Sequence, residues 1–388
     1  MRILRWLLGG ALVLVVAGAV AIGWIFSGTI LTPAPYSLMP EFELANVSAT
    51  GDGAYRVTMP LPGEAPAQMA RSDVRGRFGL LWQGGAGLLG PVEERNADTV
   101  VRTVRPTRGR PPRTGDPARV DVTLFASPAD RGLVFEEVAI PGPLGELPAW
   151  WLPGRTDDAV LVLHGRRRAD RTEALRILPT LTGTGASVLV ASYRNHDASP
   201  PSPDGFYHYG ESEADDAVAA LRWLAERGAR RVVLVGFSMG GSVAVGALER
   251  WPDTPPRPIG LVLDSPLIDP LSVFTVGARD MGLPAPGVLA AWATRIAGWR
   301  SGVDFAALDL RQRAPALDLP VLLIAGAGDG TVPIELVDAF AEALPRQPTY
   351  LRLDGAEHVE GWNVGPGRYE AEVRTFLASL PEGQTQPR

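Results

Sequence analysis

Short, continuously apolar segments alternate with amphipathic segments from about residue 158 to the end of the chain. A strand that is apolar along its whole length is buried on both faces, and a helix between two such strands makes their pairing parallel. The pattern therefore predicts an α/β fold with a doubly wound, mostly parallel sheet. The predicted strands are Ala159–Leu163, Ser187–Ala191, Arg231–Val235, Ile259–Leu263, Leu319–Ile324 and Thr349–Leu353, after a hairpin of Leu133–Ile140 and Leu147–Leu152. The predicted helices are Arg171–Thr182, Ser212–Arg227, one from Met239, Ile334–Leu344 and Gly367–Leu380.

A charge-free apolar segment, Leu7–Phe26, lies near the N-terminus. As a helix, its twenty residues would span about 30 Å, the thickness of a bilayer's hydrocarbon core. Two arginines precede it and the next basic residue is Arg56, so the positive-inside rule places residues 1–6 in the cytoplasm. We interpret residues 1–30 as a single-pass membrane anchor that leaves the rest extracytoplasmic. The alternative is a secretory signal peptide, with Ala19–Ala21 as the cleavage site, which would release the protein.

Residues 31–132 contain a proline-rich linker and then short apolar runs separated by Gly, Pro and Asp, which is typical of strands joined by turns. The predicted strands here are Tyr55–Met59, Phe78–Trp82, Thr99–Val104 and Val120–Phe125. The stretch Arg102–Arg119 is rich in Arg and Pro, and we interpret it as an exposed loop. No pattern in this region indicates chemistry, so we expect a small β-rich unit packed on the domain formed by residues 133–388.

Missing residue types limit the chemistry. The chain has no Cys, which excludes disulfides, thiolate metal sites and a cysteine nucleophile. It also has no Lys, which excludes a P-loop and a lysine Schiff base. The chain has four His and no HExxH motif, so we do not expect a multi-histidine metal site. Its net charge of −6 does not indicate binding to a nucleic acid. We therefore expect no metal, no cofactor and no nucleic-acid partner.

A nucleophile motif follows the strand Arg231–Val235. The segment Gly236–Gly241 reads G-x-S-x-G-G and stands between a predicted strand and a predicted helix. In that setting, a sharp turn presents the hydroxyl of the serine, here Ser238, clear of the sheet, and the flanking glycines let the two arms of the turn pack together. A Gly-rich tight turn with an incidental serine is the alternative.

Two further residues that follow predicted strands could activate this serine. Asp329 follows the strand Leu319–Ile324, and His358 follows the strand Thr349–Leu353. Because the carboxyl ends of parallel strands meet at one edge of the sheet, we expect a serine, a histidine base and an orienting carboxylate to meet there. Asp264, at the end of another strand, is the rival carboxylate, and we favour Asp329 because its turn is richer in Gly.

Acyl chemistry also needs donors for the oxyanion that develops. We expect the backbone N–H of Met239, which follows the nucleophile, and the backbone N–H of Arg166, in the loop after the first parallel strand, to supply them. His164 in the same loop is interpreted as structural, with a role as a second base as the alternative.

Residues 133–388 resemble the α/β-hydrolase superfamily, and within it the serine-aminopeptidase and monoacylglycerol-lipase-like branch. The whole chain is also similar to exported, membrane-anchored bacterial α/β-hydrolases of undefined substrate. The segments that carry the resemblance are Leu163–Gly165, Ser192–Arg194, Gly236–Gly241, Leu263–Pro266, Gly328–Pro333 and Gly355–His358. One departure is that three arginines, Arg166–Arg168, follow the His-Gly pair where many relatives have small residues.

The resemblance implies a helical cap inserted at about residues 266–318. Its apolar side chains could line a site for an acyl chain, or could simply bury the cap on the body of the domain; they include Phe274, Met281, Trp292 and Trp299. Arg194, near the same rim, could hold an anionic group or could fix its own loop.

We expect a serine hydrolase that cleaves an ester, thioester or amide through an acyl-enzyme on Ser238. A carboxylesterase or lipase-like enzyme acting on a small-molecule or lipid-like acyl substrate is favoured. The alternatives are an acyltransferase or a peptidase on the same three residues, and a non-catalytic binding protein with this fold.

Overall fold

The computed structural model describes residues 18, 20–33, 40–61, 72–166, 170–252 and 254–381. The described strands form two sheets that follow one another in the chain, an antiparallel sheet and then a mostly parallel one.

The first sheet is formed by seven strands of the described residues, all paired antiparallel. They are β1 (Phe42–Glu43), β2 (Asn46–Ala49), β3 (Tyr55–Pro60), β4 (Phe78–Trp82), β5 (Gly85–Arg95), β6 (Thr99–Gly109) and β7 (Pro117–Asp121). Their order in the sheet is β1-β7-β4-β5-β6-β3-β2. Alternate side chains such as Val57, Met59, Leu80 and Trp82 bury one face in a small core. We call this sheet the β-module.

The Arg- and Pro-rich stretch 102–119 is not the exposed loop that we predicted. It contains most of β6 and the start of β7. Arg102 is fully buried, and its guanidinium donates hydrogen bonds to the carbonyl oxygens of Gly90 (2.7 Å), Ser72 (3.1 Å) and Val74 (2.9 Å). Arginine is rarely buried, so the composition of this stretch favoured a position exposed to solvent. The backbone acceptors that satisfy its donors come from distant parts of the chain, which the sequence pattern does not show.

The second sheet is the predicted mostly parallel one. Its strands are β8 (Glu136–Gly142), β9 (Gly145–Leu152), β10 (Asp158–Leu163), β11 (Ser187–Ala191), β12 (Arg231–Phe237), β13 (Arg257–Asp264), β14 (Val321–Gly326) and β15 (Thr349–Leu353). Within the described part of the chain their order is β15-β14-β13-β12-β10-β11-β9-β8. Strands β10 to β15 pair in parallel, and the hairpin β8–β9 adds antiparallel to β11.

Helices cover both faces of this sheet. The described helices are α1 (residues 20–31), α2 (Leu178–Thr182), α3 (Glu213–Glu226), α4 (Met239–Arg250), α5 (Pro270–Asp280), α6 (Pro286–Ser301), α7 (Leu310–Arg313), α8 (Ile334–Ala343), α9 (Gly361–Val364) and α10 (Pro366–Ser379). Leu161 and Leu163 of β10 pack with α3 and α4, whereas Val160 and Val162 of the same strand pack with α2 and α10. This alternation is what a strand buried on both faces requires.

The helix predicted at Arg171–Thr182 is divided in two. A 3₁₀ helix at Arg171–Arg176 precedes α2. The side chain of Asp170 accepts the backbone N–H of Thr172 at 2.7 Å and so begins the first turn. Pro179 stands in the first turn of α2, where its missing N–H costs nothing, whereas one continuous helix would have required that donor.

Helices α5 and α6 form the main part of the insertion between β13 and β14, where the cap was expected. Asp269 caps α5 by accepting the N–H of Leu271 at 3.0 Å. The ring of Phe274 on α5 packs edge-to-face on Tyr209 (5.3 Å between centroids) and on Phe305 (6.0 Å), which holds the cap on the body of the domain.

Helix α1 is packed on the body and on the cap. Ile30 and Leu31 are buried in the main core. The phenolic O–H of Tyr209 donates to the Ile30 carbonyl oxygen at 2.6 Å, and Arg300 of α6 donates to Ser27 Oγ at 2.7 Å. Residues 7–17, the greater part of the predicted anchor, lie outside the described residues. Among the residues that are described, none of the helices has both the length and the apolar character that crossing a membrane requires.

Candidate active site

The backbone at Ser238 makes a sharp turn between the end of β12 and the start of α4. Ser238 has φ 49° and ψ −117°, a left-handed conformation that a residue with a side chain adopts only under constraint. Its N–H donates to the carbonyl oxygen of Asp264 at 2.9 Å, and its own carbonyl oxygen accepts from Leu267 at 3.1 Å and Gly241 at 2.9 Å. These bonds hold the turn in the strained form.

The backbone on either side of Ser238 packs so closely against its neighbours that only glycine fits there. A Cβ added at Gly240 would stand 2.3 Å from the carbonyl oxygen of Leu163, and one added at Gly236 would stand 2.5 Å from the carbonyl oxygen of Gly240. Both distances are far below van der Waals contact. The turn can therefore press against the end of β10 only if these positions carry no side chain, as the sequence motif predicts.

The three side chains that the sequence singled out lie in one hydrogen-bonded chain. Ser238 Oγ is 2.9 Å from His358 Nε2, and His358 Nδ1 is 2.8 Å from Asp329 Oδ2. The other carboxylate oxygen of Asp329 accepts the backbone N–H groups of Thr331 and Val332, each at 2.8 Å. Those two bonds fix the carboxylate, which in turn fixes the imidazole ring with Nε2 towards the serine.

The electrostatic surroundings favour a protonated His358. Burial by itself lowers the pKa of the imidazole, but the charge and hydrogen bond of Asp329 outweigh burial, with smaller contributions from Glu173 and Asp264, and the pKa of His358 is raised. A base that becomes more basic next to a serine hydroxyl is better able to accept its proton.

Asp264, the rival carboxylate, does not contact the histidine. Its Oδ2 accepts the hydroxyl of Tyr369 at 2.8 Å, and its Oδ1 accepts the hydroxyl of Ser265 at 3.2 Å. Burial raises the pKa of Asp264. Asp264 therefore supports the core beneath the site, and the geometry selects Asp329 as the partner of His358.

Met239, one of the two expected oxyanion donors, directly follows Ser238 in the chain. Among the described residues, neither the backbone N–H of Met239 nor that of Arg166 has a hydrogen-bond acceptor. Arg166 lines the same cavity as Ser238. The N–H of Gly165 is already used, because it donates to Glu173 Oε2 at 2.7 Å. The side chain of Arg166 donates to the Ile30 carbonyl oxygen at 3.3 Å and to the hydroxyl of Tyr209.

The remaining histidines and Arg194 hold the loops around the site. His164 is buried, with Nδ1 2.8 Å from the Gly165 carbonyl oxygen and its ring stacked at 4.4 Å on Tyr193. Burial lowers the pKa of His164. The guanidinium of Arg194 donates to both carboxylate oxygens of Asp216, at 2.7 and 2.8 Å. Arg194 therefore fixes its loop, one of the two roles that the sequence left open.

Sequence reasoning missed a buried network beneath the site. Glu173 holds Gly165, and Arg176 donates to the Val359 carbonyl oxygen at 2.6 Å and to Asn363 Oδ1 at 2.8 Å. Burial raises the pKa of Glu173 to about 7. A Glu and an Arg at i, i+3 are typical of an exposed helix face, and no periodic signal in the sequence distinguishes this pair.

Two separate cavities lie among the described residues near the site and the cap. One of about 340 Å³ contains Ser238 and His358. The other, of about 1200 Å³, is lined by Trp292 and Phe305 and does not include either. Of the cap residues that we expected near an acyl chain, Met281 and Trp299 are exposed and Phe274 packs on the body. The cap aromatics therefore do not line the cavity of Ser238.

Comparison with known proteins agrees with this architecture. A family model described as the alpha/beta hydrolase fold matches residues 158–297. Uncharacterized proteins from two strains of Mycobacterium tuberculosis are each 31% identical over 221 residues, covering 55% of this chain and 68% of the relative. The chain belongs to the α/β-hydrolase family.

Solved structures of this α/β-hydrolase fold are also similar. One crystal form of the Pyrococcus furiosus esterase Pf2001 superposes with a TM-score of 0.54 at 24% identity, covering 66% of this chain and 94% of the esterase. Another form gives a TM-score of 0.51 at 25% identity, covering 67% and 98%. A family described only as a domain of unknown function matches residues 67–121 of this hydrolase-fold chain, a range that includes strands β4 to β7 of the β-module.

No group of three or more His, Cys, Asp or Glu side chains that could hold a metal ion occurs in the described part of this α/β-hydrolase. Ser238, His358 and Asp329 supply a hydroxyl, a base that can accept its proton, and a carboxylate that orients the base.

Proposed function

We propose that this chain is a serine hydrolase of carboxylic esters. The observation that carries the proposal is the hydrogen-bonded chain from Ser238 through His358 to Asp329, with the serine on a strained turn at the carboxyl ends of the strands. A binding role would require none of these three in that geometry.

The reaction follows from the positions of these atoms. Ser238 Oγ attacks the carbonyl carbon as its proton passes to His358 Nε2, and Asp329 stabilises the imidazolium. The backbone N–H groups of Met239 and Arg166 bind the oxyanion of the tetrahedral intermediate. The intermediate collapses when His358 protonates the leaving alcohol, which leaves an acyl group on Ser238. A water molecule then gives a proton to His358 and attacks the acyl-enzyme. His358 returns that proton to Ser238 Oγ as the bond between Oγ and the acyl carbon breaks, and the carboxylic acid leaves.

The comparisons support an ester as the substrate more than an amide. The structures that superpose at 24% and 25% identity are those of an esterase. An alcohol is also a better leaving group than an amine and needs less assistance from the base. Ester cleavage is therefore the first activity to assay.

The test is labelling of the full-length protein by a fluorophosphonate probe, followed by a p-nitrophenyl ester assay. We expect labelling and turnover in the wild type and neither in Ser238→Ala. Ser242→Ala is the matched control, because Ser242 lies one helical turn away and donates to the Leu267 carbonyl oxygen at 3.0 Å. Folded wild-type protein that is neither labelled nor active would overturn the proposal.

We also propose that residues 7–26 attach the enzyme to a membrane. The proposal is supported by the charge-free sequence and by the exposed Trp24 and Ile25 on α1. The ring of Trp24 lies 6.1 Å from that of the exposed Trp299 of the cap. Full-length protein should sediment with membranes after an alkaline wash, and the double change Leu12→Arg with Leu14→Arg should release it. The intact mass of the purified protein distinguishes an anchor from a cleaved signal peptide, and recovery of the uncleaved wild type in the soluble fraction would contradict the proposal.

A further inference from the structure

The cavity that contains Ser238 has a second wall, and the β-module supplies it. Phe78 of β4, Arg119 and Asp121 of β7, and Thr123 just beyond β7 line the same cavity as Ser238. No sequence pattern indicated a chemical role for this region. The active site thus lies between the β-module and the parallel sheet.

This wall is fixed in place through Asn363, which follows His358 by one short loop. Asn363 is fully buried, and its Nδ2 donates to the carbonyl oxygens of Arg77 at 2.7 Å and Val122 at 3.0 Å. Its backbone oxygen accepts the N–H of Arg77 at 2.8 Å. A Cβ at Gly76, whose φ is +126°, would stand 2.4 Å from that same oxygen. Contacts this close, made by a buried amide, position the wall relative to the catalytic histidine.

The wall is polar. Arg119 is 2% exposed and pairs with Asp121, which also accepts the backbone N–H of Thr123 at 2.8 Å. A long methylene chain laid against this pair would cover the carboxylate of Asp121, whose side chain is 10% exposed, and return no hydrogen bond, which is unfavourable. A substrate hydroxyl placed there can donate to that carboxylate.

The size of the cavity also favours a small substrate without a long apolar chain. Its volume of about 340 Å³ is near the lower end of the range for small-molecule sites. The larger cavity beside the cap, about 1200 Å³, shares none of its lining residues with the cavity of Ser238. Among the described residues, the two cavities therefore offer no shared apolar lining to a long acyl chain attached to Ser238.

We propose that the β-module determines the specificity of this enzyme, and that the Arg119–Asp121 pair selects small esters whose acyl group carries a hydroxyl group. The inference rests on the proposed function of Ser238 as an acyl-accepting nucleophile. It gives the region that matches a domain of unknown function a role in the active site.

The experiment uses the full-length enzyme and two substrate comparisons. The first is p-nitrophenyl acetate against p-nitrophenyl decanoate, and the second is ethyl lactate against ethyl propionate, which differ by one hydroxyl. We expect kcat/KM to favour acetate and lactate, each by about tenfold or more. A wild type that prefers decanoate, or that does not distinguish lactate from propionate, would overturn the inference even if no variant folds.

The variant replaces the ion pair as a unit, Arg119→Met with Asp121→Leu, because removing one partner would leave a buried charge unpaired. We expect the lactate preference to fall about tenfold and decanoate turnover to rise relative to acetate. The matched control, Arg95→Met with Asp73→Leu, removes a more exposed pair of the β-module, 2.7 Å apart and outside the cavity, and should keep both ratios.

Fluorophosphonate labelling separates the two proposals. Labelled Ser238 with unchanged ratios in the folded Arg119 and Asp121 variant would overturn the role of the β-module and leave the hydrolase proposal standing. Absence of labelling in the wild type would overturn both.

Discussion

The carboxylate of Glu173 accepts the backbone N–H of Gly165 at 2.7 Å, one residue before the proposed oxyanion donor Arg166. Glu173 also lies 3.7 Å from the guanidinium of Arg176, which holds the loop of His358 through the Val359 carbonyl oxygen. A single buried acid thus connects the loop that carries one oxyanion donor to the loop that carries the base.

Glu173→Gln should make stability less dependent on pH. The folded-state pKa of Glu173 is raised from 4.5 to about 7, so the wild type binds more protons when folded and loses stability as pH rises through that range. The amide keeps an acceptor for Gly165 but cannot ionise. Relative to the wild type, the free energy of unfolding of the variant should increase by about 3 kcal/mol between pH 4.5 and pH 8.

Urea unfolding at several pH values measures this difference, with Glu226→Gln as a surface control. If the stabilities of the wild type and of Glu173→Gln change in parallel with pH, Glu173 does not titrate in this range.

Asp329→Asn should lower kcat by about 10⁴ while leaving the fold intact, because an amide stabilises the wrong tautomer of His358 and cannot stabilise the imidazolium. The p-nitrophenyl acetate assay measures the loss. Asp264→Asn is the matched control: its carboxylate contacts Tyr369 and Ser265 instead of the histidine, so its effect should fall mainly on thermal stability. Equal losses of kcat in the two variants would contradict the assignment of Asp329.

Activity should fall as pH decreases through the pKa of His358, because only the neutral imidazole accepts the proton of Ser238. Asp329 raises that pKa, so the midpoint of the acidic limb should lie above the ordinary histidine value of about 6.5. A pH profile of kcat/KM measures it. In Asp329→Asn the residual activity should have its limb at lower pH, and an unmoved limb would mean that another group controls it.

Gly240→Ala should lower kcat/KM by about 10² or more, because its Cβ would stand 2.3 Å from the Leu163 carbonyl oxygen and would push the turn of Ser238 out of position. Gly277→Ala in α5 is the matched control, since no atom lies within 4 Å of its added Cβ. That variant should be as active as the wild type and slightly more stable. Full activity in Gly240→Ala would show that the turn tolerates the displacement.

A chain that begins at residue 32 should be less stable than one that begins at residue 18. The shorter chain lacks the buried Ile30 and Leu31, whose burial contributes about 3–6 kcal/mol together, and the acceptor for Tyr209. Thermal unfolding of the two truncated chains measures the difference. Similar melting temperatures would show that α1 adds little to the folded domain.

Much of the parallel sheet could be predicted from the sequence because each strand is apolar throughout and each intervening helix is amphipathic. Most predicted strands lie within two residues of the observed ones, and Ser238, Asp329 and His358 meet because strands that run in parallel end at one edge. These signals are local in the chain, and the topology of a parallel sheet converts them into a site.

The β-module was less predictable because its pairings connect distant segments and because its arginines look solvent-exposed. Arg102 is satisfied by backbone carbonyls 12 to 30 residues away, which no local pattern encodes. The approach of Arg119 to the cavity of Ser238 depends on how two separately folded sheets pack, and that packing is fixed by buried polar contacts such as those of Asn363.

The sequence by itself determined the parallel sheet, the glycines around Ser238 and the candidates for its histidine and carboxylate partners, because periodicity and backbone sterics act over a few residues. Only the tertiary structure decided that Asp329 and not Asp264 contacts His358, that Glu173 holds Gly165, and that the β-module forms a wall of the site. Those outcomes depend on hydrogen bonds and charges between residues far apart in the chain, and such contacts leave no periodic trace in the sequence.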